Sequence, residues 1–101
     1  MPYAFVQDVP ASWEQYRHIA GAVNPDEAAG LILHLAGPTD EGVRIIEVWE
    51  SEAAWRRFES QALSPARAAL SGPPQPASTT RELRALHLVL GRPGRTKKEE
   101  T

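Results

Sequence analysis

The sequence predicts an α+β domain with the ferredoxin-like order β-α-β-β-α-β and a four-stranded antiparallel sheet. Three observations predict it. Two stretches with apolar residues at helical spacing each begin on a serine suited to cap a helix. The apolar runs around them are the length of strands and rich in branched residues. The two central runs are joined by Gly37-Pro38-Thr39-Asp40-Glu41-Gly42, a turn with glycine at both ends, which is hairpin spacing.

Residues 3–9 (YAFVQDV) alternate and are rich in aromatic and branched side chains, so they read as the first strand, ended by Pro10. Ser12 and Gln15 complete a capping box, after which Trp13, Tyr16, Ile19, Ala20 and Val23 mark an amphipathic helix. Asn24-Pro25-Asp26 stops it. Residues 31–36 and 43–50 are the second and third strands. Ser51 caps the second helix, and Glu52 sits in its first turn, where negative charge suits the helix dipole. Ala54, Trp55, Phe58, Ala62 and Leu63 form the stripe of that helix. Pro65 kinks or ends it, and residues 66–70 resume as a short helix. Residues 71–78 (SGPPQPAS) read as a crossover loop. Residues 84–90 (RALHLVL) are expected as the fourth strand, with a start as early as Thr80 left open. The domain then spans residues 1–91, and the polar residues 92–101 form a disordered tail.

Composition narrows the function. The chain has 101 residues, 42% of them hydrophobic, a net charge of −2 and no cysteine. The lack of a basic field argues against nucleic acid as a partner. The lack of cysteine removes disulfides, thiol nucleophiles and Cys-based metal sites. No apolar run reaches the ~20 residues that span a bilayer, so no membrane partner is expected. The start MPYAFVQDV has no signal-peptide character, and the expected location is the cytoplasm.

Side chains alternate along a strand, so parity sorts the two sheet faces. One set is purely aliphatic or small: Ala4, Val6, Leu31, Leu33, Leu35, Ile46 and Val48, continued by Leu86, Leu88 and Leu90. That set is expected beneath the helices. The other mixes apolar and hydrogen-bonding groups: Phe5, Gln7, Ile32, His34, Ile45, Glu47, Trp49, Ala85, His87 and Val89. It is expected on the open face, where a second copy would seal it and leave a pocket.

The order of elements, the opening YAFVQDV, the segment HLAGPTDEGVRIIEVWES and the junction EVWESEAAWRRF resemble the antibiotic biosynthesis monooxygenase-like family of dimeric α/β-barrel proteins. The resemblance covers residues 2–91. It implies two sheets paired face to face in a homodimer, with a cavity under each sheet. It also implies a cofactor-independent monooxygenase, or a cyclase or isomerase, acting on an aromatic or polyketide-like molecule in natural-product biosynthesis. Trp49 falls where the polyketide oxygenases place a pocket tryptophan, but Ile45 stands where they place an asparagine. Haem-degrading members pair such a tryptophan with an asparagine on strand 1 and a histidine on helix 2. This chain has Gln7 at the first position and Glu59 or Arg56 near the second, so no haem and no other cofactor is expected.

His34 and Glu47 are the expected catalytic pair, since a carboxylate beside an imidazole suits a general acid or base. A structural hydrogen bond is the competing reading. Phe5, Gln7, Ile32, Ile45, Trp49 and His87 are the expected substrate-binding residues. Trp49 is either a platform for a planar ligand or packing, and His87 lies in the pocket or at an interface. Trp13, Tyr16, Trp55 and Phe58 are expected in the core. His34, Glu47 and His87 lack ligand spacing, so no metal site is expected. The competing function is a non-catalytic metabolite-binding or structural homodimer.

Overall fold

The structure, a computed structural model, describes residues 2–69, 78–89 and 91. Its elements are β1 (Tyr3–Val9), α1 (Trp13–Gly21), a short 3₁₀ turn (Pro25–Glu27), β2 (Leu31–Thr39), β3 (Gly42–Trp49), α2 (Glu52–Phe58), a π-helical turn (Glu59–Leu63), α3 (Ser64–Ala69) and β4 (Thr79–Leu83). The strands form one sheet in the order β2-β3-β1-β4, with every neighbouring pair antiparallel. This is the expected ferredoxin-like arrangement. The expected proline-rich crossover, apart from Ser78, and the tail lie outside the described residues.

Local chemistry explains the elements. Ser12 accepts from the Gln15 backbone N–H while the Gln15 side chain accepts from the Ser12 N–H, which closes the capping box of α1. The Ser51 hydroxyl accepts from the Ala54 N–H and starts α2. Thr39 pairs with Gly42, so the hairpin is tighter than the six-residue turn expected, with Asp40 and Glu41 at its tip. Gly42 has φ +150°, and a Cβ there would lie 2.2 Å from the Val9 carbonyl oxygen. The close passage of β1 therefore requires glycine.

The fourth strand lies earlier than expected. Thr79–Leu83 pairs with β1, placing Thr80 opposite Gln7 and Glu82 opposite Phe5. Two polar bridges secure this register: Tyr3 donates to Glu82 at 2.9 Å and Gln7 donates to Thr80 at 3.1 Å. Residues 84–89 are not strand, so Ala85, His87 and Val89 do not belong to a sheet face.

The helices cover the face that was expected to be open. The core is Phe5, Trp49, Ala54 and Trp55, with Tyr3, Leu31, Phe58 and Leu63 packed against it. Phe5 and Trp49 belong to the mixed set, so that set faces α2. Ala4, Val6, Leu33, Leu35, Ile46 and Val48 of the aliphatic set lie on the opposite face, where Leu35 is 56% and Leu83 46% exposed, whereas Leu31, expected with them, lines the helix-covered side. The reason is volume. The ring centroids of Trp55 and Phe58 lie 5.7 and 5.2 Å from Trp49, and Trp55 lies 4.8 Å from Phe5. Large rings on the helix pack against large rings on the sheet.

Candidate functional site

Packing α2 against one half of that face leaves a hollow under the other half. A cavity of about 680 Å³ lies between the sheet and the helices of a single chain. The strands contribute Gln7, Leu31, His34, Ile45, Glu47 and Trp49, and α1 contributes Tyr16, Ile19 and Ala20, with Val23 just beyond it. Trp55, Phe58, Leu63 and Arg67 close it from the second helical segment. No residue of α1 is buried, so its apolar stripe faces a hollow instead of a packed core.

Four polar side chains form a chain along the cavity wall. His34 stands directly opposite Glu47 in the β2–β3 register. Its Nδ1 lies 2.5 Å from Glu47 Oε2, and its Nε2 lies 2.7 Å from the Tyr16 hydroxyl. The Trp49 indole N–H donates to Glu47 Oε1 at 2.7 Å. A carboxylate only accepts, so His34 donates from Nδ1; in the neutral imidazole Nε2 then accepts from Tyr16. Both Glu47 oxygens are thus engaged, which offsets the cost of holding a carboxylate at 8% exposure. Burial, and next the Glu47 charge, push the Tyr16 hydroxyl above its ordinary range. Tyr16 therefore stays protonated and donating at neutral pH. The arrangement is an imidazole oriented by a carboxylate, the geometry by which a buried Asp orients the histidine of hydrolases. The His34 side chain is 38% exposed, so a molecule in the cavity can reach the ring.

The structure brings His34, Glu47, Gln7 and Ile45 together on the cavity wall. Trp49 also belongs to the wall, but at 0% exposure it stands behind it, bonded to Glu47 and packed on Trp55 and Phe58. Phe5, equally buried, sits in the core beneath. Ile32 is displaced. A bulge between Leu31 and Leu33 shifts the register, and Leu31 takes its place opposite Trp49. His87 is exposed and not part of the lining. Tyr16, expected in the core, proves to line the cavity and bring its hydroxyl to His34. The available signal was chemical, because a tyrosine on an apolar stripe needs a partner for its O–H.

A second hollow of about 430 Å³ lies on the far side of Gln7 and Trp55, lined by Tyr3, Arg56, Glu59, Thr80, Glu82 and Arg84. Its charges largely satisfy one another: Arg56 pairs with Glu52 and Glu59, and Tyr3 with Glu82. The larger cavity is the better site, since apolar walls and an exposed imidazole converge there.

No protein-family profile and no curated protein sequence matches the chain. Solved structures do. Protein PA3566 from Pseudomonas aeruginosa is 18% identical at TM-score 0.60, covering 85% of this chain and 95% of that one. Rv0793 from Mycobacterium tuberculosis is 17% identical at TM-score 0.59, covering 86% and 97%. An arginine-to-serine variant of MhuD, solved with two manganese protoporphyrin IX molecules per active site, is 19% identical at TM-score 0.59, covering 89% and 98%. The chain has their fold. At such identities the likeness concerns the fold alone.

Proposed function

We propose that the cavity binds a small, planar, largely apolar molecule with an acidic proton, and that His34, oriented by Glu47, removes that proton. The observation that carries this is the Tyr16–His34–Glu47–Trp49 chain on the wall of a mainly apolar cavity. Ligand entry would free His34 Nε2 from Tyr16, whose O–H would then donate to the oxygen on which charge develops. Gln7 and Ile45 would orient the ring.

An aromatic or polyketide-like substrate with an activated methylene fits this chemistry. Proton loss gives a delocalised carbanion. With dioxygen as co-substrate the methylene becomes a carbonyl, one oxygen atom being retained and the other leaving as water with both hydrogens. This is cofactor-independent monooxygenation; cyclisation or isomerisation would begin with the same proton step. Among the described lining residues, His34 is the sole imidazole, and both its nitrogens are engaged. The completeness of the hydrogen-bond chain favours the second reading, a binding protein without catalysis.

The test is aerobic oxidation of 1,8-dihydroxyanthrone by the wild type and by His34→Asn. Asparagine still donates to Glu47 but is no base. General-base catalysis contributes roughly 10²–10⁴-fold, and a loss of that order is expected with probe binding, read by tryptophan quenching, retained. Equal rates in both proteins would leave only the binding role.

For the aliphatic face we propose a second copy of the chain as its cover, giving a homodimer. Exposed Leu35 and Leu83, beside the half-buried Val6, Leu33 and Ile46 on the same face, support this. No helix among the described residues is long and apolar enough to cross a membrane. We place the protein in the cytoplasm.

A further inference from the structure

The segment after β3 lines the cavity with Trp55, Phe58, Leu63 and Arg67, at intervals of three, five and four residues. An unbroken α-helix cannot do this. Residues five apart on it lie about 140° apart around the axis, so Leu63 and Arg67 would turn away from the cavity and Ala62 and Ala66 would take their place. The π-helical turn Glu59–Leu63 corrects the phase. There the Ser64 N–H reaches back to the Glu59 carbonyl, five residues earlier, in place of the usual four. This inserts one residue and turns the rest of the helix back by about 100°. Pro65, which has no N–H to give an α-helical ladder, stands just past the turn. Ala62 and Ala66 are buried as a result, while Leu63 and Arg67 join the aromatic pair at the cavity.

The consequence is electrostatic. Arg67 is the one Arg or Lys among the described lining residues, it is exposed, and it forms no ion pair with a described carboxylate. The other principal polar groups of the lining are occupied: Tyr16, His34 and Glu47 with one another, and Gln7 with Thr80. We infer that Arg67, brought to the cavity rim by the π-helical turn, anchors a carboxylate, and that the ligand is an aromatic carboxylic acid with its ring among Ile19, Val23, Leu31 and Leu63. A guanidinium offers a planar two-pronged donor that matches a carboxylate, and the rim leaves the charge partly in water while the ring is buried. This deepens the proposed function and rests on its reading of the cavity as a ligand site.

Two probes with the same ring separate the claims, 2-naphthoate and 2-naphthamide, measured by calorimetry on the full chain. The wild type is expected to bind the carboxylate roughly tenfold more tightly than the amide, as a charge-assisted pair at a partly exposed site allows. Arg67→Gln should abolish that preference while still binding the amide, and Arg67→Lys should keep part of it, because an ammonium lacks the fork. Equal binding of both probes by the wild type, or a preference that survives Arg67→Gln, would overturn the anion anchor and leave the cavity reading standing. Binding of neither probe would overturn both.

Discussion

Glu47 connects the core to the cavity. One carboxylate oxygen ties it to Trp49 inside, and the other ties it to His34 at the wall. Single side-chain chemistry also sets a pH response. Both tyrosines of the chain resist ionisation: Tyr3 is pushed up to about 12 by burial and its hydrogen bond to Glu82, and Tyr16 rises through burial and Glu47. The native state thus keeps protons that the unfolded chain loses near its ordinary value of about 10. The unfolded state binds fewer protons there, so stability falls as pH rises from about 10 towards 12. Urea midpoints at about pH 9 and pH 11 should show the drop, and the tyrosinate band should lag behind free tyrosine; a flat midpoint would contradict this. His34 and Glu47 are legible in the sequence because polar groups stand out in apolar strands. Tyr16 is less so, because a stripe counts its ring and overlooks its hydroxyl.

At the scale of elements, caps and turns are the most legible features, since Ser12, Ser51 and the glycine-bounded turn act through near neighbours. Phase and register are less so. The bulge at Ile32 exchanges Ile32 for Leu31, two residues that alternation cannot tell apart. The alternation of residues 84–90 predicts a strand, yet the strand forms over Thr79–Leu83, where all five residues are exposed. Cross-strand hydrogen bonds from Tyr3 and Gln7 decide it, and polar edges of this kind resist unwanted pairing. The hairpin offers a test. Gly42→Ala would drive a Cβ into the Val9 carbonyl oxygen at a positive φ. A loss of more than about 1 kcal/mol is expected from thermal or urea unfolding. An unchanged melting temperature would mean that β1 does not pass where described.

For the whole molecule, the order of strands and helices is set by periodicity, while the choice of face is not. Both sheet faces are apolar enough to be covered, and aromatic volume on α2 selects the face bearing Phe5 and Trp49. This moves the cavity from between two chains to within one. The proposed dimer then buries the aliphatic face and is separable from the site. Leu35→Glu should shift the mass in light scattering from about 22 kDa, twice the 11.1 kDa chain, to that of one chain while probe binding persists. A wild type that is already monomeric would remove the dimer and leave the cavity.

The central claim, that His34 takes a proton from a molecule bound beneath the helices, is tested most directly by anaerobic exchange of the methylene protons of 1,8-dihydroxyanthrone in deuterium oxide, monitored by NMR. The wild type should accelerate exchange above buffer, and His34→Asn should return it to the buffer rate. No acceleration by the wild type, or the same acceleration by the variant, would contradict the account.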